Sequence, residues 1–148
     1  MKDSIIYRSE NPTVNDYLEL RVLVGWGEMP LNVVDKALKN NVYSICAYSE
    51  SNQIVGTARI VGDGGLCYYI QDVMVRPSFQ NKGIATVLLT KIMEYLQHNA
   101  PHNSYVGLMS AKGLEPFYSK FGFMLRPNEY MGSGMIQFWG RGTELTES

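Results

Sequence analysis

Apolar and polar positions alternate along the chain in short strand-like segments, broken by runs with helical spacing. Residues 5–7 are apolar and short enough for a first strand. Asn11-Pro12-Thr13 reads as a helix start: Thr13 can cap, and Asp16 follows at a capping-box-like position. Tyr17, Leu18, Leu20, Val22, Leu23 and Val24 make the helix strongly apolar, and Gly25 can end it. A loop carrying Trp26 leads to a second helix over 31–39, with Val33, Val34, Ala37 and Leu38 inward and Asn40-Asn41 as its stop. Residues 42–49 alternate as a strand, 50–53 turn, and 54–61 return antiparallel. Residues 62–65 form a second turn.

Residues 68–75 are largely apolar, β-branched and aromatic, interrupted only by Gln71 and Asp72. That composition predicts a strand buried on both faces. Pro77 removes a backbone donor and biases Arg76 away from helix, so the strand ends there. After a polar loop, Ile84, Ala85, Leu88, Leu89, Ile92, Met93 and Leu96 recur at the spacing of an amphipathic helix. Residues 105–109 follow as a strand, parallel to 68–75 through a right-handed crossover. A short helix over 115–121 closes at Gly122, and strands over 123–126 and 135–139 flank a glycine-containing loop. The tail from 140 is polar and expected to fray. No repeat or linker divides the chain, so one domain over 1–148 is expected.

A chain of 148 residues buries a sizeable core without disulfide or metal staples. Its formal net charge of −1, with no long basic run, gives no reason to expect nucleic-acid binding. Cys46 and Cys67 lie in expected strands with no CxxC or His spacing, which reads as buried reduced thiols and not as a metal site. The N-terminus lacks signal-peptide features, and no apolar run reaches membrane-spanning length. No membrane partner is expected, and cytoplasm is the expected compartment.

The loop Gln80-Asn81-Lys82-Gly83-Ile84-Ala85 is where chemistry enters. The helix that follows begins with N–H groups lacking intrahelical partners and with the positive end of its dipole. Gly83 has no Cβ, Ala85 is small, and Lys82 adds a cation, so the backbone can hold a phosphate or pyrophosphate. The other reading is an ordinary strand-to-helix turn: neither GxxxxGK[ST] nor GxGxxG is present.

The string V-x-V-x-P-x-x-Q-x-x-G-I-A over 73–85 resembles motif A of the GNAT superfamily of acyl-CoA-dependent N-acyltransferases, with Ala85 where glycine is commoner. Downstream by one helix and one strand, Glu115-Pro116-Phe117-Tyr118-Ser119-Lys120-Phe121-Gly122-Phe123 resembles motif B. The resemblance implies an α/β fold (α+β by some schemes): one mixed, mostly antiparallel sheet of about seven strands with a splayed parallel pair, flanked by about four helices. It implies acetyl-CoA as cosubstrate and no metal. Pyrophosphate would be held by Gln80, Asn81, Lys82, Gly83, Ile84, Ala85 and Thr86. Val73, Met74 and Val75 would pair with the pantetheine arm and polarise the thioester carbonyl. Phe117 would join the coenzyme site.

Acyl transfer needs a neutral amine, a stabilised oxyanion and a departing thiolate. A lysine-like amine has a pKa near ~10.4, so a base or water chain helps; the parent thiol has one near ~8.5. The resemblance gives Tyr118 the role of acid to the thiolate; the other reading is packing against pantetheine. Asp72, the central strand's one carboxylate, is a candidate base or amine-binding group, or a structural aspartate hydrogen-bonded to a loop. Trp26, Tyr43, Tyr130, Met135 and Trp139 are candidates for an acceptor pocket, or else core and dimer-contact residues. The leading expectation is acetylation of a small-molecule primary amine by direct attack in a ternary complex. Acetylation of a protein or peptide is the alternative, and a non-catalytic acyl-CoA sensor is an alternative of another class. Pairing of late apolar strands allows a homodimer.

Overall fold

Strands Ile6–Arg8 (β1), Tyr43–Tyr48 (β2), Ile54–Gly62 (β3), Cys67–Val75 (β4) and Tyr105–Gly107 (β5) form one sheet in sequence order. The computed structural model describes residues 4–141. β1 to β4 pair antiparallel with their neighbours, and β5 joins β4 in parallel. Helices α1 (Val14–Leu23) and α2 (Leu31–Lys39) precede β2, and α3 (Ile84–Asn99) crosses over from β4 to β5. By contacts the chain divides after Leu108; the part from Met109 on holds α4 (Glu115–Ser119). The expected α/β class and mixed, mostly antiparallel sheet are present.

Local chemistry sets the helix ends. The Asp16 backbone N–H donates to Thr13 Oγ1 at 3.0 Å, capping α1 as the sequence predicts. Gly25 adopts φ +90° just beyond its C-terminus. Asn40 ends α2, its side-chain amide donating to the Lys36 carbonyl at 2.8 Å. Tyr17 and Leu20 of α1 and Val34 and Leu38 of α2 pack with Cys46, Tyr48, Ile54 and Met74 of the sheet. α3 lies over β2, β3 and β4 and buries Ile84, Leu88, Leu89, Ile92 and Leu96.

Several expectations need correction. β4 is not buried on both faces: Tyr68, Ile70, Asp72 and Met74 are buried, whereas Tyr69, Gln71, Val73 and Val75 are half-exposed. Cys46 is buried as expected, but Cys67 begins β4 in an exposed position. Among the described residues the sheet has five strands, and no strand forms over 123–126 or 135–139. Met124, Leu125, Met135, Ile136 and Trp139 are exposed there, so no buried face fixes a strand. The Asn128 side chain instead accepts from the N–H groups of Tyr130 and Met131, a local turn in place of a ladder. Of the polar tail, residues 142–148 lie outside the described residues, as do residues 1–3.

Candidate active site

β4 ends at Val75, Pro77–Phe79 makes one 3₁₀ turn, and α3 begins at Ile84. Gly83 is the N-cap of α3 at φ +83°, a conformation that favours glycine, and no side chain caps the helix. A Cβ built there meets nothing within 4 Å, so the space before the helix is open. Asn81 is also left-handed, at φ +63°. Such turns aim successive N–H groups toward one point, the geometry of a backbone anion nest. Gln80 ties the loop to the strand, its side-chain amide donating to the Val75 carbonyl at 3.1 Å. Lys82 lies over the Phe79 ring at 5.1 Å. Asn81, Lys82, Gly83 and Thr86 are exposed and Ala85 is half-buried. The structure therefore groups the expected phosphate-binding residues at the start of a helix of 16 residues.

β5 pairs with β4 only through Cys67↔Tyr105, Tyr68↔Val106 and Tyr69↔Gly107. From Ile70 to Val75, β3 is the one strand paired with β4 among the described residues. The edge that includes Val73, Met74 and Val75 thus has no second strand partner among the described residues, and an extended ligand can add to such an edge through main-chain hydrogen bonds. Met74 turns its side chain into the core with α1 and α2.

The pairing of β4 with β3 slips between Thr57 and Arg59, and Asp72 lies at the slip with φ +58°. A bulge of this kind re-aims a side chain. Asp72 Oδ2 accepts from the Tyr17 hydroxyl at 2.7 Å and from Arg59 Nε at 2.6 Å; Oδ1 accepts from the Gln71 amide at 3.1 Å. The Asp72 side chain is 1% exposed. The candidate base is therefore the hub of a network, with three of its lone-pair sites taken by Tyr17, Arg59 and Gln71. Burial, followed by the Asp72 charge, raises the Tyr17 pKa, so Tyr17 stays protonated.

Beside this network a cavity of about 120 Å³ opens among Tyr17, Arg21, Met29, Val33, Val34, Ala37, Leu38 and Arg59. None of the aromatic residues expected to line an acceptor pocket borders it. Tyr43 stacks on Tyr95 with ring centroids 4.4 Å apart and shares a hydrogen bond with Ser9. Trp26, Tyr130, Met135 and Trp139 are exposed. Sequence reasoning missed Tyr17, Arg21 and Arg59. The available signal was the four-residue spacing of Tyr17 and Arg21 on one face of α1.

In the unit from Met109 on, Tyr118 is buried in α4. Its ring meets Phe117 edge-on at 5.1 Å and Phe123 at 6.4 Å. Burial raises its pKa, so the phenol keeps its proton at neutral pH. Gly122, at φ +92°, follows the helix as expected.

The family model described as "Acetyltransferase (GNAT) domain" matches residues 26–137. An uncharacterized N-acetyltransferase, ycf52, of Pyropia yezoensis is 34% identical over 140 residues, covering 90% of this chain and 76% of that protein. The histone acetyltransferase TAP1 of Glycine max is 28% identical over 137 residues, 84% of this chain and 57% of that one. A solved structure from Staphylococcus aureus, described as a probable acetyltransferase, matches with a TM-score of 0.81 and 28% identity, over 90% of this chain and 98% of that one. With the sheet and the glycine-capped helix, these likenesses define an acyl-CoA-dependent acetyltransferase. The chain belongs to the GNAT family.

Proposed function

We propose that the enzyme acetylates the primary amine of a small molecule, with acetyl-CoA as donor and direct attack by the amine in a ternary complex. The cavity among α1, α2 and β3 supports this reading, because about 120 Å³ takes one small ring or short chain.

The coenzyme fits the residues present. The open space at Gly83 admits a pyrophosphate, and the edge of β4 beyond Tyr69 admits an extended arm. Bound acetyl-CoA supplies an acyl group activated as a thioester. The backbone amides of Gly83, Ile84 and Ala85 hold pyrophosphate oxygens, while Gln80 fixes the loop that presents them. Asn81, Lys82 and Thr86 complete that cradle. Val73, Met74 and Val75 would hold the arm, and a strand N–H there could donate to the acyl oxygen. Phe117 would join the coenzyme site, as the motif it belongs to implies. Tyr118 keeps a proton on its phenol oxygen for the departing sulfur; its hydroxyl makes no hydrogen bond among the described residues. Asp72 holds the bulge before Val73 and positions that strand. No carboxylate of the chain is needed as a base if the amine loses its proton to water.

Exposed Leu125, Ile136, Phe138 and Trp139 support a homodimer, which sedimentation tests. A cytoplasmic location belongs to the same reading and is checked by cell fractionation. The function itself is tested by thiol release from acetyl-CoA across arylalkylamines, polyamines, amino acids, amino sugars and short peptides, with mass spectrometry of products. Acetylation of a small amine is expected. Acetylation of peptides alone would overturn the small-molecule reading.

A further inference from the structure

We propose that the cavity among α1, α2 and β3 selects an acceptor whose amine and carboxylate share a small apolar frame, an amino acid with an apolar side chain, and that Arg21 anchors the carboxylate. This rests on the proposed function and narrows its substrate.

The charges around the cavity do not balance. Arg59 is matched by Asp72 at 2.6 Å, and Tyr17 is neutral, its hydroxyl already given to Asp72. Arg21 has no such match. Its Nε donates to the Gly27 carbonyl at 3.1 Å and its Nη1 to the Tyr17 hydroxyl at 3.4 Å, and no carboxylate of a described residue pairs with it. Arg21 is half-buried, and a guanidinium never loses its charge under ordinary conditions. An anion that meets a half-buried cation beside apolar walls gains more than it would in bulk water. The guanidinium has donors left after these two bonds, and its planar fork suits two carboxylate oxygens at once.

The rest of the cavity sets the body of the ligand. Met29, Val33, Val34, Ala37 and Leu38 are its apolar walls. A volume of about 120 Å³ is close to the ~150 Å³ of a cavity known to take benzene. One ring or one short branched chain fits. The polar end also points to the acceptor amine's destination. Tyr17 and Arg59 both bond Asp72, which immediately precedes Val73 on the proposed thioester-binding strand. A ligand that meets both Arg21 and that strand needs a carboxylate and an amine together at its polar end, as the α-carbon of an amino acid carries them. The reaction is unchanged: the amide C–N bond forms as the thioester C–S bond breaks, the amine proton passes to water, and the sulfur is protonated. The carboxylate takes no part beyond binding.

The test is calorimetric titration of the full chain with L-phenylalanine and L-leucine, and with phenethylamine and isopentylamine, which lack the carboxylate. Charge-assisted hydrogen bonds of this kind predict that the amino acids bind about tenfold or more tighter than the amines. Arg21→Met should erase that preference and Arg21→Lys should keep part of it, both with coenzyme A affinity retained. Equal or tighter binding of the amines, no binding of either class, or a preference that survives Arg21→Met would overturn the proposal. If Arg21→Met does not fold, Ala37→Leu replaces it: filling the cavity should abolish amino-acid binding and spare coenzyme A, and unchanged amino-acid binding would contradict the site. Turnover separates the two claims. Acetylation of the plain amines in preference to amino acids would overturn this inference and leave the transferase standing. A carboxylate preference with no acetylation of any amine would support the anion site and count against the proposed function.

Discussion

Tyr118 and Asp72 are both buried, and their surroundings differ. Tyr118 is buried among aromatic rings, with a raised pKa and no hydrogen bond on its hydroxyl among the described residues. Tyr118→Phe should lower kcat by about 100-fold, as expected for loss of a general acid, with little change in acetyl-CoA affinity. Equal losses in both would point to packing. In the proposed role the protonated phenol is the active form, so the wild-type rate should fall as pH rises through a pKa above the ordinary ~10, and Tyr118→Phe should lack that limb. A pH–rate profile of kcat checks the sign. Asp72, by contrast, has Arg59, Tyr17 and Gln71 on its oxygens. Asp72→Ala strands the largely buried Arg59 charge and should cost about 3 kcal/mol in chemical denaturation. A loss of rate with unchanged stability would instead restore Asp72 as a proton acceptor.

The contact of α3 with the sheet decides where the proposed coenzyme loop sits. Gly56 in β3 permits that contact: a Cβ there would lie 3.1 Å from the Met74 carbonyl oxygen and 3.2 Å from both Ile84 Cγ2 and Leu88 Cδ1. Gly56→Val should cost about 1–3 kcal/mol by overpacking and displace the first turn of α3. Coenzyme A affinity should fall along with the denaturation midpoint, and a midpoint loss with full affinity would contradict the coupling. The same elements explain what could be read from sequence. The cap at Thr13, the stop at Pro77 and the glycine before Ile84 act within a few residues, so their consequences were legible. The bulge at Asp72 was not, because it depends on how β4 aligns with Ala58 of β3. Nor was the cavity, whose Tyr17, Arg21 and Arg59 are brought together only by packing α1 on β3. Residues 123–126 and 135–139 have strand-like composition, but their apolar side chains are exposed and no ladder forms.

At the scale of the whole chain, net charge offers no attraction for an anionic coenzyme: the balance is −1. The proposed recognition is local, at the start of α3, where unpaired N–H groups and the helix dipole face open space at Gly83. In the proposed function the acceptor side then sets which amine is acetylated. The direct check is calorimetric titration of the unmodified protein with coenzyme A and with pantetheine, which shares the arm but lacks the pyrophosphate. Several charge-assisted hydrogen bonds at the helix start predict that coenzyme A binds about 100-fold tighter or more. Equal affinities would contradict the account, because the glycine-capped helix would then contribute nothing to holding the donor.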